Sequence, residues 1–287
     1  MFLFSIPDST IVRNHNIALF LTMEHHPDWF YDDFKIYVAY GCPPYCIWNG
    51  GRASDKGESN LQKWQSDVLA MYSQFNVKYR LTFTNFLLEP AHLFDSYCNE
   101  VAKIHNDIGG YVMVSTPLMA KYMERYPNLE ICWSTTTDFG KTQAEQIAKM
   151  DELSEKHIVV PYYMYNNTET LWKLKHPENI EVLVDEKCMN NCPRRHEHEA
   201  NANRYNLFQT DVSPSCLMEG VADFTGPRMH RINRDMLQDY AAHGINHFKI
   251  EGRKDNDISS AYMVYFVRRE HYIDFVSFRK ELMELDK

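Results

Sequence analysis

Short apolar runs alternate with longer amphipathic stretches along the whole of the 287-residue chain. Eight runs are rich in β-branched and aromatic side chains: 2–6 (FLFSI), 35–41 (KIYVAYG), 77–84 (VKYRLTFT), 110–116 (GYVMVST), 129–135 (LEICWST), 158–165 (IVVPYYMY), 180–187 (IEVLVDEK) and 246–252 (NHFKIEG). Each has the length of a parallel strand buried on both faces. Between them apolar positions recur at helical spacing, as in Leu61, Trp64, Val68 and Met71, and again in Ile147, Met150 and Leu153. The stretch NRDMLQDYAAHG opens on Asn233 as a cap and closes on Gly244 as a stop, just ahead of the last run. A further helix is expected from about residue 257. Eight strands alternating with helices predict an α/β fold, a (β/α)8 TIM-like barrel forming a single domain over 1–287. No G-x-G-x-x-G and no Walker lysine loop is present, which argues against a doubly wound nucleotide-binding sheet.

Polar residues gather at the carboxyl ends of the runs: Thr84 and Asn85, Ser115 and Thr116, Ser134 to Thr137, Asp185 and Glu186, Glu251 and Arg253. Barrel enzymes build their active sites at that rim, although any single Ser or Thr there serves equally as a helix cap. Two connections exceed the ordinary loop length, 42–59 after strand 2 and 188–232 after strand 7, and both carry cysteines. At the end of strand 8, Glu251 and Arg253 suggest an acid/base and an anion clamp, against the alternative of an internal ion pair closing the barrel. Lys249 alternates onto the same side as Glu251 and joins the substrate-binding candidates with Arg52, Asn85 and Arg195. His198, beside the strand-7 cysteines, is a catalytic candidate.

Composition narrows the classes without choosing among them. The chain is 44% hydrophobic and 14% aromatic, enough for one large core, and 24% charged. A formal charge of −9 argues against a general nucleic-acid coat, so RNA is a disfavoured partner. The apolar start MFLFSI meets Pro7 and Asp8 too soon for a signal-peptide core, and no stretch is long and apolar enough to span a membrane. The expected location is therefore the cytoplasm, where the seven thiols stay reduced. Cys98 and Cys132 lie on apolar faces and read as small buried hydrophobes.

The strand-7 run ends in VLVDEKCMNNCPRRHEHE, which places Cys188 and Cys192 at a barrel mouth, with Cys216 following in DVSPSCLMEG. Three such thiolates with a fourth fit an iron–sulfur cluster. The fourth is Cys42, with Cys46 as the alternative, because strand 2 ends on the same rim. Zinc held by Cys188, Cys192, His196 and His198 is the rival, against which the two histidines follow too closely for common finger spacings. Spacing of this kind also arises by chance between unrelated thiols.

VLVDEKCMNNCPRRHEHE, Cys216 and the terminal INHFKIEGR together resemble the peptidase U32 family, also called collagenase-like peptidases. TFTNFLLEPAHLFDSYCN, STPLMAKYM and STTT extend the resemblance to its small single-barrel relatives. It implies a barrel holding a [4Fe-4S] cluster, with Cys188, Cys192 and Cys216 matching the cluster cysteines. It also implies an oxygen-independent, hydroxylase-like oxidoreductase whose substrate is a small molecule, nucleotide or peptide. An electron donor or a homologous partner subunit would complete such a system. The larger RNA-modifying members carry extra domains that this chain lacks. Two alternatives remain beside this reading: a metal-dependent hydrolase of the U32 peptidase type, for which no HExxH or nucleophile elbow is present, and a non-catalytic partner subunit bearing a cluster.

Overall fold

The computed structural model describes the chain except residues 10–11, 55–59, 162–163, 165–166, 187, 189–191, 210, 218–229, 252–254 and 279–287. Eight parallel strands close into a barrel: β1 (Phe2–Pro7), β2 (Phe34–Gly41), β3 (Lys78–Phe83), β4 (Gly110–Val114), β5 (Leu129–Trp133), β6 (His157–Val159), β7 (Ile180–Leu183) and β8 (His247–Lys249). Each strand pairs with its neighbour in sequence, and β8 pairs back onto β1 through Leu3 opposite His247 and Ser5 opposite Lys249. All eight runs in the hydrophobic pattern are therefore barrel strands. The sixth is shorter than its apolar run because Pro161 has no N–H to continue the ladder.

The helices that cover the barrel are α1 (Arg13–His25), α2 (Leu61–Trp64), α3 (Ala70–Gln74), α4 (Ser96–Ile108), α5 (Pro117–Met123), α6 (Gln143–Leu153), α7 (Thr168–Leu171), α8 (Arg195–Asn206), α9 (Leu237–Ala242) and α10 (Asp255–Tyr265). A π turn over Gln65–Leu69 joins α2 to α3. Asn233 caps the turn that leads into α9, and Gly244, at φ +87°, ends that stretch before β8. Strand residues facing the helices are large and apolar. Phe4, for example, meets Phe266 edge-to-face at 5.0 Å between centroids.

Alternate residues of each strand point into the barrel, and this interior is not uniformly apolar. A small cluster of Met113, Cys132, Val159 and Leu183 fills its middle. Towards the amino end lies a buried polar knot. Arg80 of β3 pairs with Glu181 of β7 at 2.6 Å and also donates to the Tyr37 hydroxyl, while His157 Nε2 sits 2.6 Å from Glu181 Oε2. Burial alone would raise the Glu181 carboxyl, but Arg80 first and His157 second outweigh it and hold the group well below the usual carboxylate range. Interior layers of side chains are how a barrel of this size fills its centre.

Candidate functional site

The carboxyl mouth is covered by the two long connections, and an asparagine-rich helix locks them together. Asn206 Nδ2 donates to the carbonyls of Asn49 and Arg52, at 2.8 and 2.9 Å. Its Oδ1 accepts from the Ser54 N–H at 2.7 Å, and Asn203 Oδ1 accepts from the Gly51 N–H at 3.1 Å. Each bond ties the loop after β2 to α8, whose sequence ANANRYN supplies amides one helical turn apart. Asn85 belongs to the same stitching: its Nδ2 donates to the carbonyls of Ile47 and Asn203, and its Oδ1 accepts from the Leu87 N–H. The amide of this substrate-binding candidate thus joins the loop after β2 to α8. Gly50 lies so close to β3 that an added Cβ would stand 2.2 Å from the Thr84 carbonyl carbon.

Under this cover lies a cavity of about 70 Å³ lined by Tyr40, Arg52, Thr82, Thr135, Lys249 and Glu251, with Arg195 and Glu199 at its α8 side. A neighbouring cavity of about 670 Å³ shares Thr135, Thr136 and Glu199 and reaches Phe86, Trp133 and His196. The Thr135 hydroxyl lines both and has no hydrogen-bond partner among the described residues.

Arg52, Arg195, Lys249 and Glu251 are thus brought to one place. Arg52 donates to the Glu251 carbonyl at 3.4 Å and lies 5.7 Å from the Tyr40 ring centroid. Glu251 is 4% exposed, and its N–H donates to Asp185 Oδ1 at 2.6 Å. Arg195 bridges Glu186 at 3.0 Å and Glu199 at 2.9 Å. Burial, then the nearby Glu251 carboxylate, push the Glu186 carboxyl up to about 7 against the pull of Arg195. Lys249 is 6% exposed, with its ammonium 3.9 Å over the Tyr40 ring centroid and 3.7 Å from Met113 Sδ. Burial lowers its pKa to about 8, with Glu181 opposing and Arg80 assisting.

His198 lies outside this cavity lining and holds the Pro214 carbonyl at 2.9 Å. That contact, with Arg194 donating to the Leu217 carbonyl at 3.5 Å, brings the segment carrying Cys216 against the start of α8, next to Cys192. The Cys188 N–H donates to Glu186 Oε1 at 2.9 Å, so this thiol is anchored beside the Arg195 ion pair. Cys188 and Cys192 are half-buried and Cys216 is exposed. Cys46, by contrast, is fully buried with its Sγ 3.4 Å from Cys98 Sγ, and Cys42 is hydrogen-bonded to Cys46. The thiol contacts of the two fourth-ligand candidates are thus with each other and with α4. Cys98 and Cys132 are buried, as their apolar surroundings predict. Arg253 falls outside the described residues.

The sequence reading passed over Tyr40, Glu199 and the interior knot. Glu199 carries a legible signal, four residues after Arg195 on a helix. Arg80, His157 and Glu181 share the alternation phase of the rim residues on their strands, which marks them as inward-facing charges.

Among the described residues, Cys132, His157 and Glu181 form the one group of three cysteine, histidine or carboxylate side chains whose ligand atoms lie within 4.8 Å of one another, close enough to share a metal ion. The thiolates of a cluster bind separate irons and stand farther apart than that, so this spacing does not test Cys188, Cys192 and Cys216.

No protein-family model matches the chain, and no curated protein matches it. Among solved structures, the U32 peptidase Mk0906 is similar over 89% of this chain and 95% of its own, with a TM-score of 0.54 and 11% sequence identity. Among the described residues, no helix is long and apolar enough to cross a membrane.

Proposed function

We propose, from a barrel fold shared with a U32 peptidase, that this chain is an enzyme that binds an anionic small molecule or peptide end at its carboxyl mouth. The observation that carries the reading is the convergence there of Arg52, Arg195 and Lys249 with Glu186, Glu199 and Glu251 under two interlocked loops. Cations in a water-poor cavity bind carboxylates far more strongly than the same groups in solvent. Glu199 and Glu251 in the cavity wall supply carboxyl groups able to accept or donate a proton.

The cluster reading rests on the three thiols that the resemblance singled out. The ties from Arg194 to Leu217 and from His198 to Pro214 hold the Cys216 segment against the start of α8, which begins three residues after Cys192, and Cys188 lies two residues after Glu186 in the chain. Cys188, Cys192 and Cys216 would hold a [4Fe-4S] cluster, leaving one iron for a ligand other than Cys42 or Cys46. Such a cluster supplies one-electron transfer or Lewis-acid chemistry, of the kind an oxygen-independent hydroxylation draws on, with electrons from a separate donor. Protein purified without oxygen should be brown, with broad absorption near ~400 nm and stoichiometric iron and sulfide. Replacing Cys188, Cys192 or Cys216 with Ala should bleach it, and full iron in all three variants would end the assignment.

A metal-dependent hydrolase is the second reading, favoured by the Cys132–His157–Glu181 group and by the name of the similar structure. In that group the Glu181 carboxylate is already neutralised by Arg80, so an added divalent ion meets a fixed positive charge. Zinc in place of iron, with peptide cleavage lost in His157→Ala, would establish it.

A further inference from the structure

Lys249 is, among the described residues, a buried ammonium with no anion paired to it. Among the described residues its Nζ has two contacts, the Tyr40 ring and the Met113 thioether, and no oxygen holds it. A thioether is a weak acceptor and an aromatic face an incomplete substitute for water, so the charged form is poorly solvated there. Arg52 and Arg80 add like charge around it, while Glu181, the strongest opposing charge, is paired with Arg80 and His157. Cys132, a further titratable neighbour, is a buried thiol whose pKa is raised to about 12 by burial. Burial and the like charges of Arg80 and Arg52 favour the neutral amine, the form that acts as a nucleophile, against the weaker pull of Glu181. The amine also opens on a cavity with Thr82, Thr135 and Glu251 in its wall, and Arg52 shares the Tyr40 ring with it.

We propose that Lys249 is a covalent catalytic residue that forms an imine with the carbonyl carbon of a 2-oxo acid, whose carboxylate is held by Arg52. This deepens the reading of the carboxyl mouth as the active site and rests on it. The Nζ lone pair attacks the carbonyl carbon, and the C–N bond forms as the carbonyl oxygen is protonated. One amine proton passes to that oxygen and a proton from solvent completes the departing water, so the nitrogen lone pair forms the C=N bond and the second amine proton remains on a protonated imine. Glu251, in the same wall, is placed to carry the proton between nitrogen and oxygen. A cavity of about 70 Å³ admits the reacting carboxylate and carbonyl, and the adjoining cavity of about 670 Å³, with Phe86 and Trp133 in its wall, takes the rest of the molecule.

The test is reductive trapping of the full-length protein with pyruvate and sodium cyanoborohydride, read by intact mass and peptide mapping. Hydride adds to the imine carbon, so the expected product is one pyruvate-derived secondary amine, located at Lys249. Lys249→Met and Lys249→Arg should both lose it while unfolding cooperatively, at a melting temperature no more than a few degrees below that of the wild type. Arg52→Ala should raise the pyruvate concentration for half-trapping about tenfold or more, yet leave trapping of acetaldehyde, which has no carboxylate, unchanged. Three results would overturn the proposal: no adduct, an adduct spread over surface lysines, or pyruvate binding by calorimetry that Lys249→Arg preserves in full, since that would make Lys249 an ion-pairing group. Iron content, measured on the same samples, reports on the cluster separately. A colourless protein that still traps pyruvate leaves this assignment standing and removes the cluster alone.

Discussion

Lys249 carries a charge to a depth where its solvation is poor, and that has a measurable consequence apart from any chemistry. Its pKa falls from 10.5 to about 8 on folding, so between those values the unfolded chain binds more protons than the folded one. Stability should therefore rise with pH from about 8 towards 10.5, and Lys249→Met should remove most of that rise and gain stability at pH 7. Urea unfolding of the two proteins across this range checks it, and an equal slope in both would show that the amine is not the cause. His105 gives the acid-side counterpart. It is buried on α4, its Nε2 lies 3.0 Å from the Tyr79 carbonyl and 3.2 Å from that of Tyr111, and burial lowers its pKa from 6.5 to about 4. A base with a lowered folded pKa binds its proton more readily when unfolded, so stability falls as pH drops from 6.5 towards 4, by on the order of 3 kcal/mol in full. His105→Asn should flatten that acid limb whatever it costs at pH 7. An unchanged slope would mean that other groups drive the acid limb.

At the scale of elements, the decisive unit is the pairing of the β2 loop with α8. The bonds from Asn203, Asn206 and Asn85 hold two connections as one cover, and they place Arg52 and Arg195 over the same cavity. Gly50 is the seat of that cover. A methyl group there would collide with the backbone of Thr84 and Asn85, so Gly50→Ala must lift the loop. It should cost about 1–3 kcal/mol of stability and weaken anion binding, as an overpacked contact does. Limited proteolysis within 42–59 should also accelerate. A variant with wild-type melting and ligand affinity would show that the cover is not seated through this glycine.

For the whole molecule, the barrel interior decides what is rigid and what is reactive. The Arg80–Glu181 pair crosses the barrel from β3 to β7, and removing one partner strands the other in the core. Glu181→Gln should therefore destabilise by about 3–5 kcal/mol, whereas the double replacement Arg80→Met with Glu181→Leu should recover most of it. Denaturant titration of the three proteins makes the comparison. A single variant no less stable than wild type would indicate that water reaches the pair.

The sequence by itself determined the barrel, because eight β-branched runs of strand length separated by helical periodicity leave few other closed arrangements. It also determined the rim. Lys249 and Glu251 alternate onto one face, and Arg52 and Arg195 fall in the two long connections at the same end. What only the tertiary structure decided was which polar groups are satisfied by their neighbours. Asn85 and His198 look as reactive on paper as Lys249. In the fold the Asn85 amide bonds the backbone of Ile47, Leu87 and Asn203, and His198 Nε2 bonds the Pro214 carbonyl, while the lysine meets a ring and a sulfur. Cys46 likewise turns to Cys98, 52 residues beyond it in the chain, and Cys42 turns to Cys46. The reason is one of range: periodicity fixes which way a residue faces within its own element, but its partner comes from another part of the chain, through packing that no local pattern encodes.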